Sequence, residues 1–290
     1  MKNKGLFFIL TLLTAVLLAA CGSDSEQNAS GDDKKEDSAW SEIKEKGEIV
    51  VGTSGTLFPA SYYPEDSNEL TGYDVEIMRE IAKRLDLELK FEEYGVDGIL
   101  AAIKSGRIDM AINDMEETEK RAEEFTFSEP YKYSYSTMIV REDDLSGIET
   151  LEDLEGKVAG GAATTVFAQI SEHFGAELKT YGNVTNDVYL RDVEQGRTDL
   201  IINDYYLQSL ALKALPEIDV TLHPDLKFYP TSSSVVMPKD APTLEEKVNE
   251  TLKEMREDGT LTELSKEFFG GKDASEKPEE DIQEIEGLDL

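Results

Sequence analysis

The chain has 290 residues, with 62 acidic and 29 basic side chains, two histidines, one cysteine and 39 % apolar residues; this is enough apolar material for the cores of one or two ordinary domains. A net charge of −33 excludes nucleic acid and a basic face against an anionic membrane, because neutralising phosphates requires clustered Lys and Arg. A single cysteine excludes an intramolecular disulfide and any Cys-rich metal centre, and His173 and His223 lie too far apart for helical or hairpin ligand spacing, so no cofactor or metal is expected.

In chain order, Lys2 and Lys4 precede an apolar run from Leu6 to Ala20, which reads as an export signal over residues 1–20. The run is shorter than the roughly 18 to 20 residues needed to span a bilayer. Leu18-Ala19-Ala20-Cys21 followed by Gly22 resembles the lipobox of bacterial lipoproteins, which implies cleavage before Cys21 and acylation of that cysteine. Loss of Lys2 and Lys4 takes the net charge from −33 to −35. Residues 21–39, almost all Ser, Asp, Glu, Gln, Asn and Lys, read as a solvated tether, and 272–290 as a disordered acidic tail. The folded part is expected from about Trp40 to Gly271.

Within it, periodicity predicts a strand from Glu48 to Gly52, a helix from Tyr73 to Leu85 and a strand from Leu87 to Glu92. Residues 105–114 (SGRIDMAIND) and 195–204 (QGRTDLIIND) share Gly, Arg, Asp, Ile, Asn and Asp in register, so the chain repeats itself. Each copy follows an amphipathic helix, carried by Val96, Ile99, Leu100 and Ile103 in one and by Val188, Leu190 and Val193 in the other, and runs through a Gly into an apolar strand ending in Asn-Asp. Ligands of open α/β sheets sit beyond the carboxyl ends of strands, so Asn113, Asp114, Asn203 and Asp204 are expected to face one cleft from two sides; the plainer reading is that each pair caps a helix or makes a turn. The second half opens on a strand from Lys157 to Gly161 and a Gly/Ala/Thr turn ahead of a helix from about Thr165 to Phe174. That turn has no dinucleotide fingerprint but offers N–H groups at a helix start. Two extended stretches, Tyr133 to Arg141 and Lys227 to Pro238, are placed to cross between the halves as hinges.

Together, Gly72-Tyr73-Asp74-Val75-Glu76, the segment from Asp97-Gly98-Ile99-Leu100 to Asp114, Thr118-Glu119-Lys120-Arg121, Phe127-Ser128-Glu129-Pro130-Tyr131 and Asp258-Gly259-Thr260 to Phe269-Gly270 resemble the family 3 extracellular solute-binding proteins of bacterial amino-acid ABC importers. The resemblance covers residues 45–271. It implies the periplasmic-binding-protein type II fold, two α/β lobes joined by two hinge strands, with lobe 1 over 40–138, lobe 2 over 139–230 and a return to lobe 1 over 231–271. It further implies a monomer that closes on one amino acid and delivers it to a permease and ATPase complex, lipid-anchored on the extracytoplasmic face of the cell membrane.

By that resemblance Arg121 holds the ligand's α-carboxylate, assisted by Thr165 and the turn ending at Thr164, and Asp204 takes the α-ammonium; on an acidic helix, a salt bridge to Glu117 or Glu124 is the plainer reading of Arg121. A guanidinium suits the carboxylate because it donates two parallel hydrogen bonds. Leu57, Phe58, Tyr94 and Val96 are implied to line the side-chain pocket. Glu116 departs from the family, which usually has Ser or Thr there. An acid beside a bound carboxylate either turns to solvent or selects a ligand with a second positive group, and Asn113 and Asp114 in place of a smaller pair point the same way, towards cystine or a basic amino acid. An enzyme on the same fold, such as a periplasmic dehydratase, and a receptor's sensor domain are the alternatives. No nucleophile motif favours the first, and no membrane-spanning run after Gly271 favours the second.

Overall fold

The computed structural model describes residues 38–279 and 281–288. The expected signal peptide, Cys21 and the tether as far as residue 37 lie outside the described residues.

The elements run α1 (Ser38–Lys46), β1 (Glu48–Thr53), β2 (Thr56–Leu57), β3 (Ser61–Tyr62), α2 (Tyr73–Arg84), β4 (Glu88–Glu93), α3 (Val96–Lys104), β5 (Met110–Ala111), α4 (Glu119–Ala122), β6 (Phe125–Phe127), β7 (Lys132–Arg141), β8 (Val158–Gly161), α5 (Val166–His173), β9 (Glu177–Thr180), α6 (Asn186–Glu194), β10 (Leu200–Asp204), α7 (Tyr205–Ala214), β11 (Val220–Leu222), β12 (Phe228–Ser233), β13 (Val236–Pro238), α8 (Pro242–Glu257) and α9 (Thr260–Phe268). They form two large sheets with helices packed on them and a small two-stranded sheet of β2 and β3. The five-stranded sheet has the order β4-β1-β5-β13-β6, and the six-stranded sheet the order β11-β7-β10-β8-β9 with β12 paired on β7. In the first, β1 lies parallel to β4 and β5; in the second, β8 lies parallel to β9 and β10. Each lobe is thus a parallel strand–helix–strand unit extended by antiparallel strands, as the alternation of strand and helix patterns demands.

Gly72, which opens α2, has φ 127, and a Cβ there would sit 2.3 Å from the carbonyl oxygen of Ala60. Only glycine lets this turn approach so closely, and the approach lets Tyr73 and Asp74 donate their N–H groups to Pro59 and Ala60. Ile77, Met78 and Ile81 of α2 then pack with Ile49 and Val51 of β1 and with Leu244, Val248, Leu252 and Met255 of α8 in the lobe 1 core. The corresponding core of lobe 2 joins Val166, Phe167 and Ile170 of α5 to Met138, Val140, Leu200 and Ile202. Helix α7 follows a lobe 2 strand but inserts Tyr206 and Leu207 into the lobe 1 core, where Tyr206 lies 5.5 Å from the ring of Phe269.

The chain crosses between the sheets at β7 and β12, which pair antiparallel from Lys132 with Ser233 to Ser136 with Phe228. The second crossing, read from sequence as one stretch to Pro238, is broken after Ser233, and Val236–Pro238 joins the first sheet as β13. Parts of the stretch after Gly271, expected to be a disordered tail, pack on the fold. Ala274 and Ser275 are buried, Tyr133 donates its N–H to the Ala274 carbonyl, and Arg256 Nη1 donates to that of Ser275. Further on, Gln283 exchanges backbone hydrogen bonds with Lys227 and Tyr229, while Ile285 and Leu288 pack on the lobe 2 core. A few well-placed apolar side chains and backbone pairing substitute for the periodicity that the segment lacks.

Candidate functional site

The two repeats build matching strand ends. Gly106 and Gly196 end α3 and α6 at φ 66 and 68, a left-handed turn that glycine adopts without strain. Asp109 Oδ2 then accepts the N–H of Val50 at 2.8 Å, and Asp199 Oδ2 that of Val158 at 2.9 Å, tying each repeat to the first strand of its lobe. Beyond this point the copies diverge. Asn113 Oδ1 accepts the N–H of Ser54 and Asp114 turns to φ 50, whereas Asp204 accepts the N–H of Leu207 at 2.9 Å and caps α7.

Between the strand ends lies a cavity of about 880 Å³, its open mouth included. Leu57, Val96, Asn113, Asp114, Glu116, Arg121 and Thr165, all singled out from sequence, line it. Phe58, Tyr94, Thr164 and Asp204 do not. Phe58 packs edge-on against Tyr62, the Tyr94 hydroxyl donates to Glu92, and Thr164 donates its N–H and hydroxyl to Asp97 Oδ1 at 3.1 and 2.8 Å. Asp204 is buried in an ion pair with Lys132.

On the opposite wall Asn203, expected at the cleft from its strand end, lines the cavity, but most of that wall escaped the sequence reading. Phe167, Tyr181, Asn183 and Tyr189 of lobe 2 line it. Tyr181 donates to Asp192, and Tyr189 donates to Asn186 Oδ1 at 2.5 Å. Lys179, Tyr181 and Arg197 converge on Asp192 and hold its carboxyl well below the usual carboxylate range, which fixes the Tyr181 ring. Asn183 reaches across the cleft: its Oδ1 accepts from the Thr56 hydroxyl at 2.5 Å and its Nδ2 donates to the Ser54 carbonyl at 3.3 Å. The local signal for this wall is the pair of tyrosines eight residues apart on either side of a Gly-Asn loop.

Arg121 and Glu116 are the charged pair of the cavity. Thr118 caps α4 by accepting the Arg121 N–H at 3.2 Å, as the sequence predicts, and so aims the side chain. The guanidinium donates to the carbonyls of Glu116 at 2.7 Å and of Thr164, in lobe 2, at 2.6 Å. It lies 3.7 Å from Glu116 Oε2, and both side chains are at most 10 % exposed. Burial pushes the Glu116 carboxyl up to about 7 against the pull of Arg121, and Asp114 pushes it the same way.

Behind the cavity floor Lys132, at the start of the β7 crossing and 1 % exposed, places its ammonium 2.8 Å from Asp114 Oδ1 and 2.7 Å from Asp204 Oδ2. Asp114 Oδ1 also accepts from the Ser233 hydroxyl at 2.5 Å, and Asp74 Oδ2 accepts the Asp114 N–H at 2.6 Å. Burial, with Asp114 alongside, raises the Asp74 carboxyl well above its ordinary range, and burial raises that of Asp204. Burial alone would depress the Lys132 ammonium, but Asp114 and Asp204 outweigh it and the net shift is upward.

This geometry, two lobes with a polar cleft at matching strand ends, is what a solute-capturing protein requires, and the sequence comparison decides the family. The profile of the bacterial extracellular solute-binding proteins, family 3, matches residues 49–271. The chain belongs to that family. It is 51 % identical over 288 residues to the probable ABC transporter extracellular-binding protein YckB of Bacillus subtilis, covering 99 % of this chain and 98 % of YckB. The L-cystine-binding protein TcyA of the same organism is 32 % identical over 268 residues, covering 92 % of this chain and 98 % of TcyA. Among solved structures, that of Bacillus subtilis YckB superposes with a TM-score of 0.68 at 55 % identity, over 85 % of this chain and 99 % of that one. The amino acid ABC transporter substrate-binding protein AbpA of Streptococcus pneumoniae, bound to L-arginine, gives 0.73 at 28 % identity over 81 % and 98 %. The fold is the type II periplasmic-binding fold, and the protein is an extracytoplasmic solute-binding component of an ABC transporter.

Proposed function

We propose that the protein captures an amino acid between its lobes and delivers it to a permease driven by an ATPase, with cystine or a basic amino acid preferred. The observation that carries this reading is the buried Arg121–Glu116 pair on the wall of one cavity. Arg121 retains N–H donors beyond its two carbonyl bonds, and with Thr165 on the facing lobe it suits an α-carboxylate. Glu116 is buried with a single cation 3.7 Å away that would also serve the ligand, so a second positive group on the ligand supplies the partner that burial of the acid demands. Leu57 and Val96 suit an aliphatic stem, and the Asp114 carboxylate suits an amine. The L-cystine bound by TcyA and the L-arginine held by AbpA support this ligand class.

Binding without turnover is part of the reading. A panel of amino acids is titrated by calorimetry and each mixture is analysed for products. L-cystine, L-arginine or L-lysine is expected to bind most tightly and to be recovered unchanged; tight binding of neutral amino acids alone contradicts the ligand class, and appearance of a product points to an enzyme such as a dehydratase. The lipobox supports attachment of a monomer through Cys21, which requires more than one acyl chain for stable anchoring. Cys21→Ala is expected to release the protein from the membrane fraction, and a variant that stays membrane-bound contradicts the anchor.

A further inference from the structure

The segment after Gly271 lies outside residues 49–271, which the family profile matches, yet it is fastened at both ends of the crossing between the lobes. Its first anchor is in lobe 1. Ala274 donates its N–H to Ser265 Oγ of α9 at 2.6 Å and accepts that of Tyr133, at the start of β7, at 2.7 Å, and Arg256 of α8 holds the Ser275 carbonyl at 2.6 Å. Its second anchor is in lobe 2. Gln283 donates its N–H to the Lys227 carbonyl at 3.1 Å and accepts that of Tyr229 at 2.8 Å, while Ile285 and Leu288 pack on the lobe 2 core. Between the anchors Pro278 and Ile282 line a cavity together with Ser134, Thr231 and Ser232 of the paired strands β7 and β12, so this span is not packed solid against the crossing.

The lobe 2 anchor meets the strained point of the crossing. Tyr229 has φ 48, in the left-handed region that a tyrosine occupies only at a cost, and Pro230 after it favours extended backbone at that position. Tyr229 is also the extra residue of a bulge, since the register of β12 on β7 shifts between Phe228, opposite Ser136, and Pro230, opposite Tyr135. Hinges work by changes of φ and ψ at a few such positions, and here the Gln283 carbonyl holds the Tyr229 N–H in the bulged arrangement. The lobes are closed in that same arrangement: Asn183 and Thr164 of lobe 2 bond across the cleft to Thr56 and Asp97 of lobe 1.

We propose that residues 274–279 and 281–288 act as a strap that pins the Tyr229 bulge and thereby biases the crossing towards the closed arrangement of the lobes. This control rests on the reading that the lobes close on a solute, and not on which solute they close on. When the lobe 2 anchor is released, Tyr229 relaxes towards extended backbone and the fraction of molecules competent to hold a ligand falls. The affinity for every ligand then falls by the same factor, because the strap touches the crossing and not the cleft.

The test uses the full chain in three forms besides wild type. Gln283→Pro removes the N–H that pairs with Lys227, Gln283→Ala keeps both backbone bonds, and Ile285→Asp with Leu288→Asp detaches the apolar end without touching Gln283. Circular dichroism checks folding, and if one of the two disruptive forms fails to fold the other decides. In calorimetric titrations with L-arginine and L-cystine, Gln283→Ala should bind within about twofold of wild type, as an ordinary surface replacement does. Gln283→Pro and the double variant should each weaken both ligands by one common factor of about three- to thirtyfold, the size expected of a change that acts on a conformational equilibrium. Affinities within about twofold of wild type in both disruptive forms, or unequal losses for the two ligands, overturn the inference. If wild type binds neither amino acid, the preferred ligand class fails by itself and X-ray scattering of the ligand-free proteins decides: Gln283→Pro should show a larger radius of gyration than Gln283→Ala, and equal radii overturn the strap.

Discussion

Asp114 and Asp204 end the two copies of one repeat, yet Asp114 adopts φ 50 and lines the cleft, while Asp204 sits at φ −61 and ψ 135 and caps a helix. Upstream the copies match bond for bond: a left-handed glycine, then an aspartate accepting the N–H of the lobe's first strand. The difference arises downstream of each aspartate. Helix α7 starts directly after Asp204, and its first-turn N–H groups claim the carboxylate. After Asp114 no helix begins until Thr118 caps α4, so the carboxylate stays available to Lys132, Ser233 and the cavity. A repeated motif therefore specifies the strand-end closure within each lobe, and the next element decides whether its last carboxylate caps a helix or lines the cavity.

The largest effect that would break this contrast is on the lobe 2 side. Asp204→Ala removes a helix cap and one partner of a buried ion pair, a loss of about 3–5 kcal/mol. The melting temperature of the ligand-free protein should fall by roughly 6 to 20 °C. An unchanged melting temperature shows that Asp204 carries no structural load. On the lobe 1 side, Arg121→Ala should weaken amino-acid binding by about 2–5 kcal/mol, roughly thirtyfold to several thousandfold. Wild-type affinity in a calorimetric titration of that variant removes Arg121 from the site.

Asp109→Ala and Asp199→Ala sharpen the other half of the comparison. Each strands a backbone N–H, that of Val50 or Val158, at a cost of about 1–3 kcal/mol. Denaturant unfolding should give two similar losses and calorimetry two unchanged affinities. A difference of more than about 2 kcal/mol between the variants means that the repeat does not do the same work in both lobes.

Much of this was legible because it is local. The glycine–strand–Asn-Asp repeat, the Thr118 cap and the helices over 73–84 and 96–104 follow from short-range patterning, and seven of the eleven residues read as ligand contacts line the cavity. What could not be read depends on long-range packing. Lys132 stands among tyrosines in a strand-like run, and a lysine there reads as solvent-facing; its burial is set by Asp114 and Asp204, 18 and 72 residues away in sequence. Phe58 and Tyr94 carry the right chemistry for a pocket, but contacts with Tyr62 and Glu92 turn them elsewhere. The stretch after Gly271 has too little periodicity to announce a buried segment, and only the paired strands it meets, β7 at Tyr133 and β12 at Tyr229, give Ala274 and Gln283 their partners.

The most direct measurement of the ligand reading is the pH dependence of L-arginine binding to wild type and to Glu116→Gln. Burial pushes the Glu116 carboxyl up to about 7, so it favours the native state most when protonated, and that contribution falls as pH rises from the ordinary glutamate range through about 7. A cationic ligand group favours the ionised form, so binding releases a proton, and affinity for L-arginine should rise as pH increases from 5 to 7 and then level off. L-Glutamine should show no such rise, and Glu116→Gln should abolish it while weakening L-arginine by about tenfold or more at pH 8. A pH-independent affinity for L-arginine in wild type, or an equal change for both ligands in the variant, contradicts the account that Glu116 selects a second positive charge.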